Sequence, residues 1–458
     1  MNVKIIIFCT FVFLSFSSKG QADKISLVEK NQAKQLVNNG ISLYDSGLSK
    51  QAYMEFKAAI AKNPTSWEAY YWLANTEFKL NDFFSALENA ETAYGLTEKK
   101  NDADLNFLLG TIKHNLGEID KALIHYEVSR KSLGESLAKE YEIPVLIEQC
   151  NFAKNEKIKG TVNKRFLFSN KINSMEEEYS PILTQNGLHL FFTGRNSEST
   201  GNNQNLEDER YFEDIYHFEW NNDEKDWKKS SQSLEGINTE GFDALNYISK
   251  NGKYALGTIN TSSSKEKTTK SSDIFEITTE EELLFESATI INNKNINTSY
   301  FEGSAVISDT ILNGADFSQF LYFVSDRQAE QTLTDIYCIE KKNGTWMKNE
   351  TKLKTINSSG RETTPFITPN GRFLFFSSDG LPGMGGYDIY YSENKNGVWG
   401  PPINLGAAYN TVNDDTHFQI YPELKKAVMA GINQTDGVFN YDIFQIDLSD
   451  SDFTFLKD

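Results

Sequence analysis

The sequence has little cysteine, little proline and no excess of positive charge. Three cysteines in 458 residues cannot build a disulfide scaffold. Cys9 lies in an N-terminal apolar run, which leaves Cys150 and Cys338 either as two buried small hydrophobes or as one bridge between distant segments. A net charge of −19 argues against nucleic acid or anionic lipid as the main partner, because both demand a basic surface. No run after residue 20 is apolar enough to span a bilayer. Chemical signatures are missing too: there is no Gly-x-Ser-x-Gly elbow, no His-Glu-x-x-His and no phosphate loop. The five histidines, His114, His125, His189, His217 and His417, show no ligand-like pairing along the chain, so no catalytic residue, metal or cofactor is expected.

What is present begins with residues 1–20. Lys4, the apolar run Ile5–Phe16 and the small and polar residues after it read as a secretory signal peptide without a lipidation box, with an uncleaved anchor as the alternative. Hydrophobic content of 39% and aromatic content of 13% are enough for a real core in two or three domains.

Residues 21–160 carry helical spacing and an internal repeat. Gly40, Ala52, Phe56, Ala59 and Pro64 recur in kind as Leu73, Ala74, Ala86, Ala90 and Ala93, and again as Leu109, Gly110, Gly117, Ala122 and Tyr126. Small residues at Gly40, Ala74 and Gly110 let paired helices approach, while Phe56 and Tyr126 fill the space toward the next pair. The pattern resembles the tetratricopeptide family over about three units, followed by a closing helix.

Residues 161–458 change to short alternating runs broken by Gly, Asn, Asp and Ser, which predicts strands. Asp-Ile-aromatic recurs at Asp214, Asp273, Asp335, Asp388 and Asp442, with gaps of 59, 62, 53 and 54 residues. Each copy follows an apolar strand and, before it, a strand ending in a turn such as "TQNG", "SKNG" or "TPNG". Five copies of a four-strand unit predict a β-propeller, with a sixth, incomplete blade as the alternative. The ring closes either through Asn163–Ser174 or through the C-terminal "FTFLKD". The best copy, "GRETTPFITPNGRFLFFSSDGLPGMGGYDIYYS", resembles the WD40-like, TolB-type repeat of bacterial envelope proteins. The expected fold class is therefore a multidomain α plus all-β chain.

The tandem of leader, tetratricopeptide units and propeller resembles the front part of a Bacteroidetes envelope family whose members often continue into an OmpA-like domain. One branch of it serves type IX secretion and gliding. The resemblance implies a non-enzymatic scaffold in the periplasm at the outer membrane. Its partners would be envelope proteins, secretion components or a separate peptidoglycan-anchored protein. No peptidoglycan-binding residue can be carried over.

Two binding surfaces follow from the residues. The first helices of the repeats turn Tyr44, Tyr71, Asn75, Phe78, Phe107 and His114 toward a concave groove suited to a peptide or helix, although some of these rings could instead be interhelical packing. Residues 161–458 hold 26 Lys and Arg against 44 Asp and Glu, with much of the excess in the segments joining the repeats: "NSMEEEY", "NTEGFD", "NTSYFEG", "NSSGRET" and "NTVNDDT". Glu178, Asp243, Glu302 and Asp415, with Arg361 nearby, either ring the channel mouth and favour a small ligand, glycan, cation or basic segment, or accept backbone N–H bonds at the start of each inner strand. The recurring Asp of Asp-Ile-aromatic is spread around the ring, which gives it a structural duty rather than a metal.

Overall fold

The computed structural model describes residues 25–449 and 452–456, apart from 206–209, 264–268, 270, 328–332 and 436. The leader reading of residues 1–20 lies outside the described residues. Helices come first: α1 (Leu27–Asp45), α2 (Ser49–Lys62), α3 (Trp67–Lys79), α4 (Phe83–Leu96), α5 (Ala103–Asn115), α6 (Ile119–Leu133), α7 (Glu135–Glu140) and α8 (Ile143–Lys159). Their starts are written locally. Ser26 and Glu29 form a capping box on α1, and Ser66, Asp82 and Asp102 accept N–H bonds at the starts of α3, α4 and α5.

Consecutive helices pack as antiparallel pairs, α1 with α2, α3 with α4 and α5 with α6. A methyl group on Gly40 would sit 2.5 Å from the Phe56 ring, and one on Gly110 would sit 2.6 Å from that of Tyr126. Both rings are fully buried, so these two glycines admit the aromatic fillers of the seams. α8 closes the stack, with Ile143 and Cys150 packed against Ala122 and Tyr126 of α6. Cys150 and Cys338 are both free thiols. Among the described residues, no helix is long and apolar enough to cross a membrane.

The remainder forms five antiparallel sheets. Blade one holds Glu177–Leu183, His189–Arg195, Asp214–Asn221 and Asp226–Lys229; blade two holds Phe242–Ile248, Tyr254–Asn260, Asp273–Thr278 and Thr289–Ile290. Blade three is built on Glu302–Ile307, Asp316–Ser325 and Asp335–Lys342, with short outer strands that include Thr351–Lys352. Blade four is built on Glu362–Ile367, Phe373–Ser378 and Asp388–Lys395, with Ile403–Asn404 outside. Blade five holds Asp415–Tyr421, Lys426–Thr435 and Val438–Asp447. Its outer strand is Phe166–Leu167, in register with Gln445 and Phe444.

The ring therefore closes through the N-terminal segment. The C-terminal "FTFLKD" contributes a 3-10 turn at Thr454–Leu456, with the Phe455 ring 4.6 Å from Tyr391 and that of Phe453 5.2 Å from Tyr409. It caps the seam between blades four and five. The hydrophobic core lies between blades rather than within them. Ile182, Phe191 and Ile215 of blade one pack on Leu245, Ala255 and Phe275 of blade two, and similar clusters fill the other four seams around to blade five against blade one. The chain is a tetratricopeptide-type α-solenoid followed by a five-bladed β-propeller.

The solenoid sits against the propeller. His114 Nε2 lies 2.8 Å from the Met384 carbonyl, Asn413 Nδ2 donates to the Asn115 carbonyl, and Phe439 N donates to the Asn81 carbonyl. The Phe439 ring is 4.6 Å from Phe83 and 5.7 Å from Phe84, and Ala407 N donates to Glu156 of α8. These contacts come from loops of blades four and five and from the first residues of the strand Val438–Asp447, at the end where the inner strands begin.

Candidate functional site: groove, strand brackets and axial cup

The concave face is only partly open. Tyr44, Tyr71, Asn75 and Phe107 are half-buried there. Tyr71 stands 5.4 Å edge-on to Trp72, Tyr44 stands 5.6 Å from the same ring, and Phe107 is 5.7 Å from Tyr141. Asn75 turns its amide back onto the Tyr71 carbonyl. Burial, with Asp104 and Asp102 close by, raises the Tyr71 pKa above the usual tyrosine range. Two predicted groove residues are not free for a partner. His114 is 3% exposed beneath Met384, and Phe78 stacks 5.1 Å from Phe83, which itself meets Phe439. The propeller occupies the end of the groove that these two would have offered, a contact between segments 270 residues apart that no local pattern encodes.

The carboxylates read as a channel ring are instead internal brackets. Glu178, Asp243, Glu302 and Asp415 are all at most 2% exposed. Each accepts from the backbone N–H and hydroxyl of a Ser or Thr four residues earlier: Ser174 to Glu178, Thr239 to Asp243, Thr298 to Glu302 and Thr411 to Asp415. Blade four uses Ser358 and Glu362, a carboxylate the sequence reading passed over in favour of its neighbour. That neighbour, Arg361, is exposed and paired with Asp379 at 3.0 Å. The backbone-accepting alternative accounts for the acidic joints, because a buried carboxylate must spend its lone pairs on donors.

One residue before each Ser or Thr stands an Asn that the sequence reading also missed. Asn173, Asn238, Asn297, Asn357 and Asn410 each accept from the N–H of the Ile in Asp-Ile-aromatic and donate to the carbonyl of that Ile. The pattern Asn-[Ser/Thr]-x-x-x-[Glu/Asp] was present in the five joints quoted above. Asn173 clamps Ile443 from 270 residues away, which fastens the N-terminal segment to blade five.

Two residues after four of these carboxylates the backbone takes a positive φ, at Ser180, Ser304, Thr364 and His417, and each inner strand bulges there. The bulges narrow the axis. Beyond them, at the end of the inner strands facing away from the solenoid, the channel widens into a cup of about 310 Å³. Ile182, Tyr247, Ile307, Phe366 and Tyr421 contribute one wall from each blade, and a Lys250–Asp309 pair at 3.0 Å crosses the rim.

Buried ionisable groups give the fold a pH signature. Burial raises Glu77, Glu178 and Asp243 each to about 7, against the attraction of their hydrogen-bond donors. Burial lowers His217 to about 4 and His417 to about 3, and also depresses His114 and His125. The raised carboxyls stabilise the fold below their unfolded pKa, and that stability is lost as pH rises through 7. The lowered histidines contribute in the opposite sense, and their contribution is complete only about one pH unit above the unfolded value of about 6.5. Between pH 6.5 and 8 the loss from the three carboxyls exceeds what the histidines regain, so stability should fall by an amount on the order of 1 kcal/mol. Denaturant midpoints at the two pH values check this, and a flat or rising profile would contradict it.

A further grouping escaped the sequence reading. His189 and His217, 28 residues apart, face one another at 3.1 Å, with Glu219 beside them. They do pair, contrary to the expectation of unpaired histidines, because the strand register brings them together.

A tetratricopeptide repeat family model matches residues 55–88. The chain matches no curated protein. Among solved structures it is similar to the Yersinia enterocolitica type III secretion chaperone SycD in complex with a peptide of the translocator YopD, at 12% identity over 28% of this chain and 99% of that one, TM-score 0.26. The Arabidopsis OM64 TPR domain aligns at 15% identity over 27% of this chain and 96% of that one, TM-score 0.25. The MamA protein aligns at 26% identity over 29% of this chain and 70% of that one, TM-score 0.25.

Proposed function

We propose that the chain is a non-enzymatic scaffold that works by protein–protein contact, held at the bacterial envelope as an accessory of type IX secretion or a sister system. The observation that carries the reading is the open part of the concave face. Tyr44, Tyr71 and Phe107, one on the first helix of each repeat, are half-buried there, and Glu68 and Asp104 on two of these helices are exposed. Rigid rings beside carboxylates suit an extended or helical segment that brings one apolar anchor and a basic residue. The docked propeller holds this face in a fixed orientation. The envelope setting and the secretion role rest on the leader-like residues 1–20 and on the order of the two repeat types.

A photo-crosslinking amino acid at position 71 tests the reading in cells. It should trap another protein, and Glu68→Lys with Tyr44→Ala should reduce capture about 30-fold or more, the worth of a hot-spot anchor. Trapping only from positions on the propeller would sink it. The second reading is a ligand-binding module, and the observation favouring it is the cup, whose mixture of apolar walls and a polar rim fits a small molecule. Adducts from Tyr247 but not from Tyr71 would favour that reading.

A further inference from the structure

Blade one carries a cluster that neither the groove nor the cup uses. His217 and Glu219 stand two residues apart on one strand, so their side chains leave the same face. The register places Glu219 directly opposite His189, and His217 opposite Phe191. His189 Nδ1 and His217 Nε2 are 3.1 Å apart, and one ligand atom from each of His189, His217 and Glu219 lies within 4.8 Å of the others. Two nitrogens bound to one tetrahedral zinc at about 2.0–2.1 Å are themselves about 3.3 Å apart. The imidazoles are thus spaced as a metal would require to within a few tenths of an ångström.

Their surroundings hold them there. The His217 ring is 4% exposed and stacks on Phe191 with centroids 4.0 Å apart and planes at 8°. Gln232 lies beside this ring, and the Ser230 hydroxyl donates to Glu219 Oε1, so both a His and the carboxylate have neighbours able to orient them. His189 is half-buried and Glu219 exposed, which leaves a path for an ion and a place for water in the fourth position. We propose that His189, His217 and Glu219 form a binding site for a divalent first-row transition metal of the zinc class. Two imidazoles and a single carboxylate suit such an ion, whereas calcium and magnesium call for oxygen ligands.

The full-length chain, stripped with a chelator, is titrated with Co²⁺ by visible absorption and with Zn²⁺ by calorimetry. One equivalent should bind, with the intense d–d bands of a four- or five-coordinate cobalt site. Glu219→Gln should weaken binding about 10-fold or more and His189→Gln about 100-fold, while circular dichroism stays unchanged. Because His217 is buried, the judgement rests on these two accessible positions. The alternative arrangement is an N–H···N bond between two neutral rings. If the folded wild-type chain takes up no metal at about 100 μM Zn²⁺, or if His189→Gln binds as well as wild type, that alternative stands and the metal site is overturned. Equal binding of Ca²⁺ would overturn it as well.

Discussion

Replacing Arg165 by Ala should destabilise the propeller by about 3–5 kcal/mol, the cost of leaving a buried charge without its partner. Arg165 pairs with Asp415, and their side chains are 8% and 0% exposed. The guanidinium also lies 4.5 Å over the Phe444 ring. Burial lifts the Asp415 pKa to about 6, and the attraction of Arg165 is the largest influence holding it down. Without that cation the carboxyl must take up a proton or stay charged in a dry site. The double variant Arg165→Ala with Asp415→Asn should recover much of the loss, because no uncompensated charge remains. A chain beginning at Met175 lacks Phe166–Leu167 and the Asn173 clamp as well, and should melt well below one beginning at Thr161. If the two shortened chains melt together, or if Phe455→Ala costs more than Arg165→Ala, the ring is fastened from its C-terminus instead.

Glu302→Ala should be almost as damaging, and it separates a structural carboxylate from a ligand-binding one. Glu302 is fully buried and accepts from Thr298 N and Oγ1 at 2.7 Å, from Ser325 Oγ at 2.8 Å and from Arg327 Nη2 at 3.1 Å. Its removal takes from Arg327, whose side chain is only 6% exposed, the nearer of its two carboxylates, leaving Glu350 at 3.5 Å and the Asn295 and Ile296 carbonyls, and it orphans three neutral donors. The expected cost is about 3–5 kcal/mol. Glu302→Gln retains an acceptor and should lose less. Chemical denaturation measures both variants. Unchanged stability in Glu302→Ala, together with weaker binding of any cation, would restore the reading of these acidic joints as a channel ring.

The architecture was legible because repetition turns weak local signals into a count. Five copies of Asp-Ile-aromatic at similar spacing mark the third strand of every blade, and Gly40 and Gly110 mark the helix seams. The brackets were half legible. Their acidic members stood out by charge, but the Asn and Ser or Thr before them are ordinary loop residues until the strand they clamp is known. The His189–His217 pair depends on strand register, which a one-residue slip would abolish. The burial of His114 depends on one domain meeting another. Periodicity describes how an element is built and is silent about its neighbour, so part of the predicted groove was lost to the chain's own propeller.

The closing strand also decides how this molecule would bear a load. It lies just beyond α8, so a pull on the solenoid carried along the backbone reaches the ring through residues 160–165 and meets first a two-residue strand. Force along that path would unzip blade five before disturbing any other blade. The contacts of Phe83 with Phe439, of His114 with Met384 and of Glu156 with Ala407 bridge the same two parts along a separate route. They carry tension around the seam, as a clamp on a cable protects its plug, and a chain anchored at one domain and tugged at the other would yield at this clamp before its ring came open.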